Sequence, residues 1–187
     1  MIEIKISGRG GQGAVLASQI LAGAMFEKGL WVQSFPSFGA ERRGAPVSAF
    51  LRADVEEITL RCGVQHPDWI VLFDPNLLAH PLVTRGINDK TSIVLNSLQP
   101  PADDLDFQYR NLYQVDATAI AEELNLKTTS FSIVNTAMVG AFASASGLVD
   151  IKQLVKVIRD LVPIKKEENA AAAQNAYDKI QEFLYDR

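Results

Sequence analysis

The chain has 187 residues, of which 48% are hydrophobic and 21% are charged, and its formal net charge at pH 7 is -4. This composition is typical of a folded globular protein, and the length predicts a single domain over residues 1–187. Because proteins that bind nucleic acid usually present a basic face, the acidic balance excludes a general affinity for nucleic acid. The single cysteine, Cys62, has no partner for a disulfide within the chain, so we expect a cytoplasmic protein.

Two segments bear on membrane association. Residues 1–6 alternate apolar and polar side chains and lead into a glycine-rich turn, which indicates a strand rather than a cleavable signal segment. Residues 128–149 have no charged side chain, but they are rich in Ser, Thr, Gly and Asn, whereas a membrane span needs a run of about 20 mostly apolar residues. We therefore expect no membrane segment.

Strand and helix patterns alternate along the chain. Short runs of β-branched and aliphatic residues predict strands at residues 2–6, 31–35, 47–52, 57–62, 69–73 and 92–95. Helical spacing predicts helices at residues 14–28, 117–125, 133–146 and 151–161, with a short helix or turn at 75–85. A proline-containing surface loop is predicted at 98–106, and a last helix begins near Pro163 with an apolar face that reaches Leu184.

This alternation predicts an α/β fold with a doubly wound sheet, Rossmann-like or flavodoxin-like, and with helices on both faces. The segments 47–52 and 57–62 resemble a hairpin joined by a polar turn at Asp54, so we expect a mixed sheet. Residues 14–25 and 128–149 are apolar or small on nearly all sides. Each of these helices either contacts another chain or lies deep in the core.

The first motif is Gly-Arg-Gly-Gly-Gln-Gly at positions 8–13, after a predicted strand and before a predicted helix. Free backbone N–H groups at a helix start favour an anion, which makes a ligand site of Gly10, Gly11, Gln12 and Gly13. A dinucleotide site also needs an acidic residue about 20 positions further on, and none lies near Gln33. The alternative is a tight turn that lets the strand and the helix pack closely.

The second motif is the proline- and glycine-containing loop Ser-Phe-Pro-Ser-Phe-Gly-Ala-Glu-Arg-Arg-Gly-Ala-Pro at positions 34–46. Its contact chemistry comes from Phe38, Glu41, Arg42 and Arg43. Guanidinium groups bind carboxylate and phosphate through two parallel hydrogen bonds, so the loop could recognise either group. The alternative is a surface loop in which Glu41 pairs with the arginines, at under about 1 kcal/mol for each pair.

Together, these two motifs closely resemble the gamma subunit of pyruvate and branched-chain 2-oxoacid:ferredoxin oxidoreductases. Further matches are residues 68–78 (DWIVLFDPNLL), the helix entry Ile-Val-Asn-Thr at 133–136, and Glu-Asn at 168–169 before an alanine-rich helix. The resemblance covers essentially the whole chain. It implies a complex that converts pyruvate or a related 2-oxoacid to an acyl-CoA and passes the electrons to ferredoxin.

The resemblance also implies thiamine diphosphate, Mg²⁺ and [4Fe-4S] clusters in the complex, with coenzyme A as co-substrate. A four-iron cluster needs four thiolates, and this chain has Cys62 alone. The Gly-Asp-Gly stretch with which the family binds thiamine diphosphate is also absent. We therefore expect these cofactors on alpha, beta and delta-type partner subunits, with no cofactor, metal or catalytic residue in this chain alone.

Three other kinds of residue are weaker candidates. His66 and His80 lie beside prolines without a second ligand at metal-binding spacing, so we interpret them as turn residues. Cys62, at the end of a predicted strand, is expected to be a small buried side chain rather than a reactive thiol. Asp74 follows a predicted strand, where α/β folds place ligands, although an aspartate before Pro75 also caps a turn.

Alternative functions stay open on the sequence alone. One is a gamma-type subunit of an aryl-glyoxylate (phenylglyoxylate) dehydrogenase complex that passes electrons to NAD. Another is a free-standing nucleotide-binding module that uses the glycine loop, and a third is a structural adaptor with no ligand. The sequence does not distinguish pyruvate from other 2-oxoacids, because we expect partner subunits to build most of the substrate pocket.

Overall fold

The computed structural model describes residues 1–37, 45–99, 105–129 and 131–183. Within these ranges one sheet is formed by the strands β1 (Ile2–Arg9), β2 (Trp31–Ser37), β3 (Pro46–Asp54), β4 (Trp69–Leu72), β5 (Ser92–Asn96), β6 (Asn111–Val115) and β7 (Gln181–Phe183). The helices are α1 (Ala14–Glu27), a 3-10 helix (Pro75–Ala79), α2 (Pro81–Thr84), α3 (Ala117–Glu123), α4 (Asn135–Ser146), α5 (Ile151–Leu161) and α6 (Lys166–Lys179).

The sheet is mixed, and its strand order is β2-β3-β1-β4-β5-β6-β7. β1, β4, β5 and β6 run parallel to one another. β3 lies antiparallel between β1 and β2, and β7 lies antiparallel beside β6. The predicted α/β fold with a doubly wound, mixed sheet is therefore confirmed.

The antiparallel pairs that make the sheet mixed are β1 with β3, β2 with β3, and β6 with β7. The predicted hairpin of residues 47–52 with 57–62 is not among them. Residues 57–62 form no strand, because both edges of β3 are already paired, with β1 and with β2. Two side chains hold the segment instead: Arg52 donates to the carbonyl of Cys62 (2.8 Å) and Gln33 donates to the carbonyl of Leu60 (3.0 Å). The predicted burial of Cys62 was also wrong, since its side chain is exposed.

The end of the last helix differs from the prediction. α6 ends at Lys179, and residues 181–183 form β7, which pairs antiparallel with β6. Neither β6 nor β7 was among the predicted strands. The free edge of β6 provides backbone hydrogen bonds to this segment, and such tertiary pairing outweighs a helical sequence pattern. Leu184, at the end of the predicted apolar face, lies outside the described residues.

The main core lies on one face of the sheet, where α1, α3, α4, α5 and α6 pack. Every residue of α4 from Asn135 to Ala143 is buried. Gly140 allows this, because a Cβ there would overlap the backbone carbonyl of Ala173 in α6. Of the two explanations for the small and apolar residues of α4, a deep core helix therefore accounts for them within this chain.

The opposite face of the sheet has two halves. Over β4, β5 and β6, a smaller apolar cluster is covered by the 3-10 helix and α2. Over β1 and β3, most side chains are polar and include Lys5, Ser7, Ser48 and Arg52, with Phe50 opposite Lys5. Helices thus cover both faces, but the second face carries only short ones. No helix within the described ranges is long and apolar enough to cross a membrane.

Candidate functional site

The carboxyl ends of the parallel strands meet the glycine loop at one edge of the sheet, where α/β folds bind ligands. A cavity of about 380 Å³ opens there between the ends of β4 and β5 and the entry to α4. Residues from five segments line it, among them Gln12, Asp74, Asn96, Asp116 and Phe131. We call this cavity the strand-end crevice.

The glycine loop forms one border of the crevice. Gly11 and Gly13 have φ angles of 98° and 84°, a left-handed conformation that favours glycine. The side-chain oxygen of Gln12 accepts a hydrogen bond of 2.7 Å from the backbone N–H of Arg9, which closes the turn. The N–H of Gly10 donates to the carbonyl of Ala45 (3.2 Å). This last bond ties the loop to the base of the second motif.

Residues just before α4 and at its start pack directly onto two of the loop's glycines. A Cβ on Gly11 would lie 2.6 Å from the ring of Phe131, and a Cβ on Gly13 would lie 2.5 Å from the amide nitrogen of Asn135. Both distances are far below van der Waals contact, so any side chain there would force Phe131 or Asn135 to move. The close approach supports the interpretation of the loop as a packing turn.

The strand order argues against a self-contained dinucleotide site. In the dinucleotide-binding fold the second strand lies beside the first, and its acidic end holds the ribose. Here β3 separates β1 from β2. Gln33, near the position of the missing acid, is already bonded to the carbonyl of Leu60 and to Arg52.

Asp74 follows β4 and forms a salt bridge with the guanidinium of Arg9. Its other carboxylate oxygen accepts from the backbone N–H of Asn76 (2.9 Å) and caps the 3-10 helix, so the predicted capping role is confirmed. Burial alone would raise the pKa of Asp74, but the hydrogen bonds from Arg9 and Asn76 outweigh it and lower the pKa below its usual value. The carboxylate therefore stays ionised at neutral pH. Arg9 was not among the predicted site residues.

Asn96, at the end of β5, joins the strand ends together. Its amide nitrogen donates to the carbonyl of Phe73 (2.9 Å) and to the hydroxyl of Thr118 (2.9 Å), and its oxygen accepts from the Thr118 N–H (3.3 Å). Asp116 caps α3 through the N–H of Ala119. These bonds fix the polar groups of the crevice, and fixed polar groups suit binding and positioning.

The structure brings together only part of the predicted site. Gly10, Gly11, Gln12 and Gly13 form the turn at the crevice. The other four predicted residues lie outside the described residues: Phe38, Glu41, Arg42 and Arg43. The last described residue before them is Ser37, at the end of β2, and the first one after them is Ala45, which is bonded to Gly10.

The remaining sequence candidates lie away from this crevice. His66 is in an exposed bend and His80 precedes α2, as expected for turn residues. The thiol of Cys62 lies 3.9 Å from a guanidinium nitrogen of Arg52. Among the residues that the structure describes, no three His, Cys, Asp or Glu side chains are close enough to share a metal ion.

The fold and the crevice define an α/β protein with a glycine-rich turn at the carboxyl ends of a mixed sheet. The chain belongs to the pyruvate ferredoxin/flavodoxin oxidoreductase family, whose model matches residues 3–179. It is 48% identical over 181 residues to pyruvate synthase subunit PorC of Methanocaldococcus jannaschii, with 96% of this chain and 97% of the relative covered. It is 43% identical over 187 residues to the pyruvate/ketoisovalerate oxidoreductases common subunit gamma of Pyrococcus furiosus, covering 98% and 99%.

Solved structures agree with this assignment. Pyruvate oxidoreductase subunit PORC of Thermotoga maritima superposes with a TM-score of 0.82 at 31% identity, and 98% of each chain is covered. A 2-oxoglutarate:ferredoxin oxidoreductase from Magnetococcus marinus shares the fold alone, with a TM-score of 0.71 at 22% identity. The match covers 95% of this chain and 30% of that longer one.

Proposed function

We propose that this chain is the gamma subunit of a multisubunit pyruvate:ferredoxin oxidoreductase and supplies one side of an active site whose cofactors lie on partner chains. The observation that carries the proposal is the nearly complete alignment with separate gamma-type subunits, 97% of one relative and 99% of another. These relatives support pyruvate as the substrate class over the aryl-glyoxylate alternative.

The chemistry of the donor side chains supports cofactors on other chains. The only thiol is Cys62, which is exposed, whereas a four-iron cluster requires four thiolates. The chain also lacks the Gly-Asp-Gly stretch that would hold thiamine diphosphate. Alpha, beta and delta-type subunits would thus carry thiamine diphosphate, Mg²⁺ and the clusters, and the electrons would leave through them to ferredoxin.

The surface proposed to face these partners is the glycine loop together with the Phe38 to Pro46 loop. The Gly10 to Ala45 hydrogen bond supports this grouping, because it joins the two motifs at their bases. In this arrangement one of Arg42 and Arg43 contacts a phosphate of coenzyme A or a partner carboxylate. The other pairs with Glu41 or a partner acid, since two adjacent arginines cannot easily bind one bidentate ligand.

The test is a pair of variants, Arg42→Ala and Arg43→Ala, each in the assembled complex. Arg110→Ala is the matched control, because Arg110 is exposed and precedes β6, four strands away from β3 in the sheet. For each complex we would measure subunit composition, pyruvate-dependent cluster reduction without coenzyme A, and turnover across coenzyme A concentrations. Loss of a charge-assisted hydrogen bond costs about 1.5–3 kcal/mol, or roughly ten- to more than a hundredfold.

The outcomes separate the two contacts. A coenzyme A contact predicts normal assembly, normal cluster reduction and a raised Michaelis constant for coenzyme A. A docking contact predicts weaker assembly. If both variants assemble and turn over like Arg110→Ala, the loop is a surface turn and the proposed site is wrong.

A further inference from the structure

A second cavity, of about 520 Å³, lies on the polar half of the sheet's second face, between β1, β3 and the segment around α2. No residue lines both this cavity and the strand-end crevice. We call it the Lys5 cavity. Its walls include the polar residues Lys5, Ser37, Ser48, His80 and Arg85.

Lys5 is the central feature of the cavity. It lies in the middle of β1 and is only 5% exposed. Its ammonium group donates to the carbonyl of Leu82 (2.9 Å), and it forms no ion pair with any described residue. An ammonium group carries three donors, and a buried charge without a counter-ion is costly.

Arg85 and His80 line the same cavity as Lys5. The side chain of Arg85 has no hydrogen bond or ion pair with a described residue, and its charge is close enough to lower the pKa of Lys5. The Nδ1 atom of His80 is buried and has no hydrogen-bond partner within the described ranges. Buried polar atoms are nearly always bonded, so an orphaned one in a cavity wall indicates a missing partner.

The rest of the lining suits an anion. Its described residues include no aspartate or glutamate, and they add the hydroxyls of Ser37 and Ser48. The Ser48 hydroxyl is bonded to that of Ser7 (2.7 Å), which fixes its position on the sheet. The pKa of Lys5 is lowered to about 8 by burial first and by Arg85 second, as expected for a buried cation with no counter-ion among the described residues.

We propose that the Lys5 cavity binds an oxyanion, a phosphate or a carboxylate carried by a small molecule. The anion accepts hydrogen bonds from Lys5 and Arg85, the residue types that bind phosphate and carboxylate best. The cavity is separate from the strand-end crevice, although Ala45 and Pro46 at the base of the second motif line it. The proposal rests on the groups around Lys5 and does not depend on the proposed function. The cavity is larger than one phosphate group, which leaves room for the molecule that carries it.

The test uses the full chain and two probes, inorganic phosphate and acetate, each titrated at constant ionic strength. Binding is followed by NMR through the Lys5 Nζ and Arg85 Nε signals. Lys5→Met keeps the apolar stem of the side chain and removes the buried charge, so this variant is expected to fold. Arg85→Gln removes the second cation at an exposed position. The matched controls are Lys90→Met and Arg110→Gln, which remove the same charges from exposed positions outside the cavity lining.

We expect saturable binding to the parent chain and to both controls, with affinity at least about tenfold weaker in Lys5→Met and in Arg85→Gln. Tighter binding of phosphate identifies a phosphate-bearing ligand, and tighter binding of acetate identifies a carboxylate-bearing one. If neither probe saturates, or if the cavity variants bind like their controls, the Lys5 cavity is not an oxyanion site.

Discussion

Lys5 shows how a single residue escapes prediction from sequence. The alternation of residues 2–6 places Lys5 on the face opposite Ile4 and Ile6, and an outward lysine on a strand usually reaches water. In the structure that face is half covered, by the segment around α2 on one side and by residues 63–65 on the other, and the lysine is buried. The alternating pattern is compatible with an exposed or a buried Lys5, because it shows on which face of the sheet the side chain lies but not which other residues cover that face.

The burial of Lys5 predicts a dependence of stability on pH. Its folded pKa of about 8 lies below the ordinary 10.5, so between these values the unfolded chain binds more protons than the folded chain. Stability from this group therefore rises with pH from about 8 to 10.5, and the full penalty, about 3 kcal/mol, applies below pH 8. We expect Lys5→Met to be more stable than the parent by up to about that amount at pH 7.

Denaturant unfolding without phosphate, from pH 7 to 10.5, measures this difference. The advantage of Lys5→Met should shrink steadily above pH 8. Lys90→Met, at an exposed position, should match the parent throughout. An advantage that stays constant up to pH 10.5 would show that packing, and not the charge, destabilises the parent.

At the scale of elements, the contact between α4 and α6 depends on one glycine. A Cβ on Gly140 would overlap the carbonyl of Ala173, and both helices are buried at this point. Gly140→Ala therefore forces the helices apart, and overpacking of this kind typically costs about 1–3 kcal/mol, occasionally more. The gain in helix propensity, about 1 kcal/mol, offsets only part of it.

The measurement is the free energy of unfolding beside that of Gly23→Ala. Gly23 lies within α1, and the nearest atom to an added Cβ would be a methyl group of Val157, at 3.0 Å, with Leu161 at ordinary contact distance, 3.9 Å. That methyl group can move, so we expect Gly23→Ala to change stability by less than about 1 kcal/mol. If the two substitutions change the free energy of unfolding equally, the contact between α4 and α6 is not as closely packed as the geometry indicates.

At the scale of the whole molecule, the prediction is a chain without colour or activity of its own. Cys62 is the only thiol, so the purified chain cannot hold a four-iron cluster. Absorbance between 350 and 450 nm, together with iron and sulfide analysis, should show neither cluster component at about the level of one cluster per chain. Pyruvate-dependent electron transfer should appear only after partner subunits are added. Stoichiometric iron and sulfide in the purified chain would contradict the assignment of the clusters to other subunits.

The sequence by itself determined the parts of this protein that depend on neighbouring residues. The β1 strand, the glycine turn and α1 follow from a local hydrophobic period and from the freedom of glycine, and α5 has the predicted limits. The motifs at positions 8–13 and 34–46 were sufficient to indicate the family. Asp74 was predicted to cap a turn, because an aspartate before a proline does so through its own backbone.

Only the tertiary structure decided which segments meet. β3 lies between β1 and β2, so residues 57–62 have no free strand edge with which to pair. Residues 181–183 pair with β6 as a strand, although their sequence pattern is helical. The salt bridge between Arg9 and Asp74 and the Lys5 cavity join residues about 65 to 80 positions apart. Such contacts depend on the order of strands in the sheet, and periodicity along one chain does not encode that order.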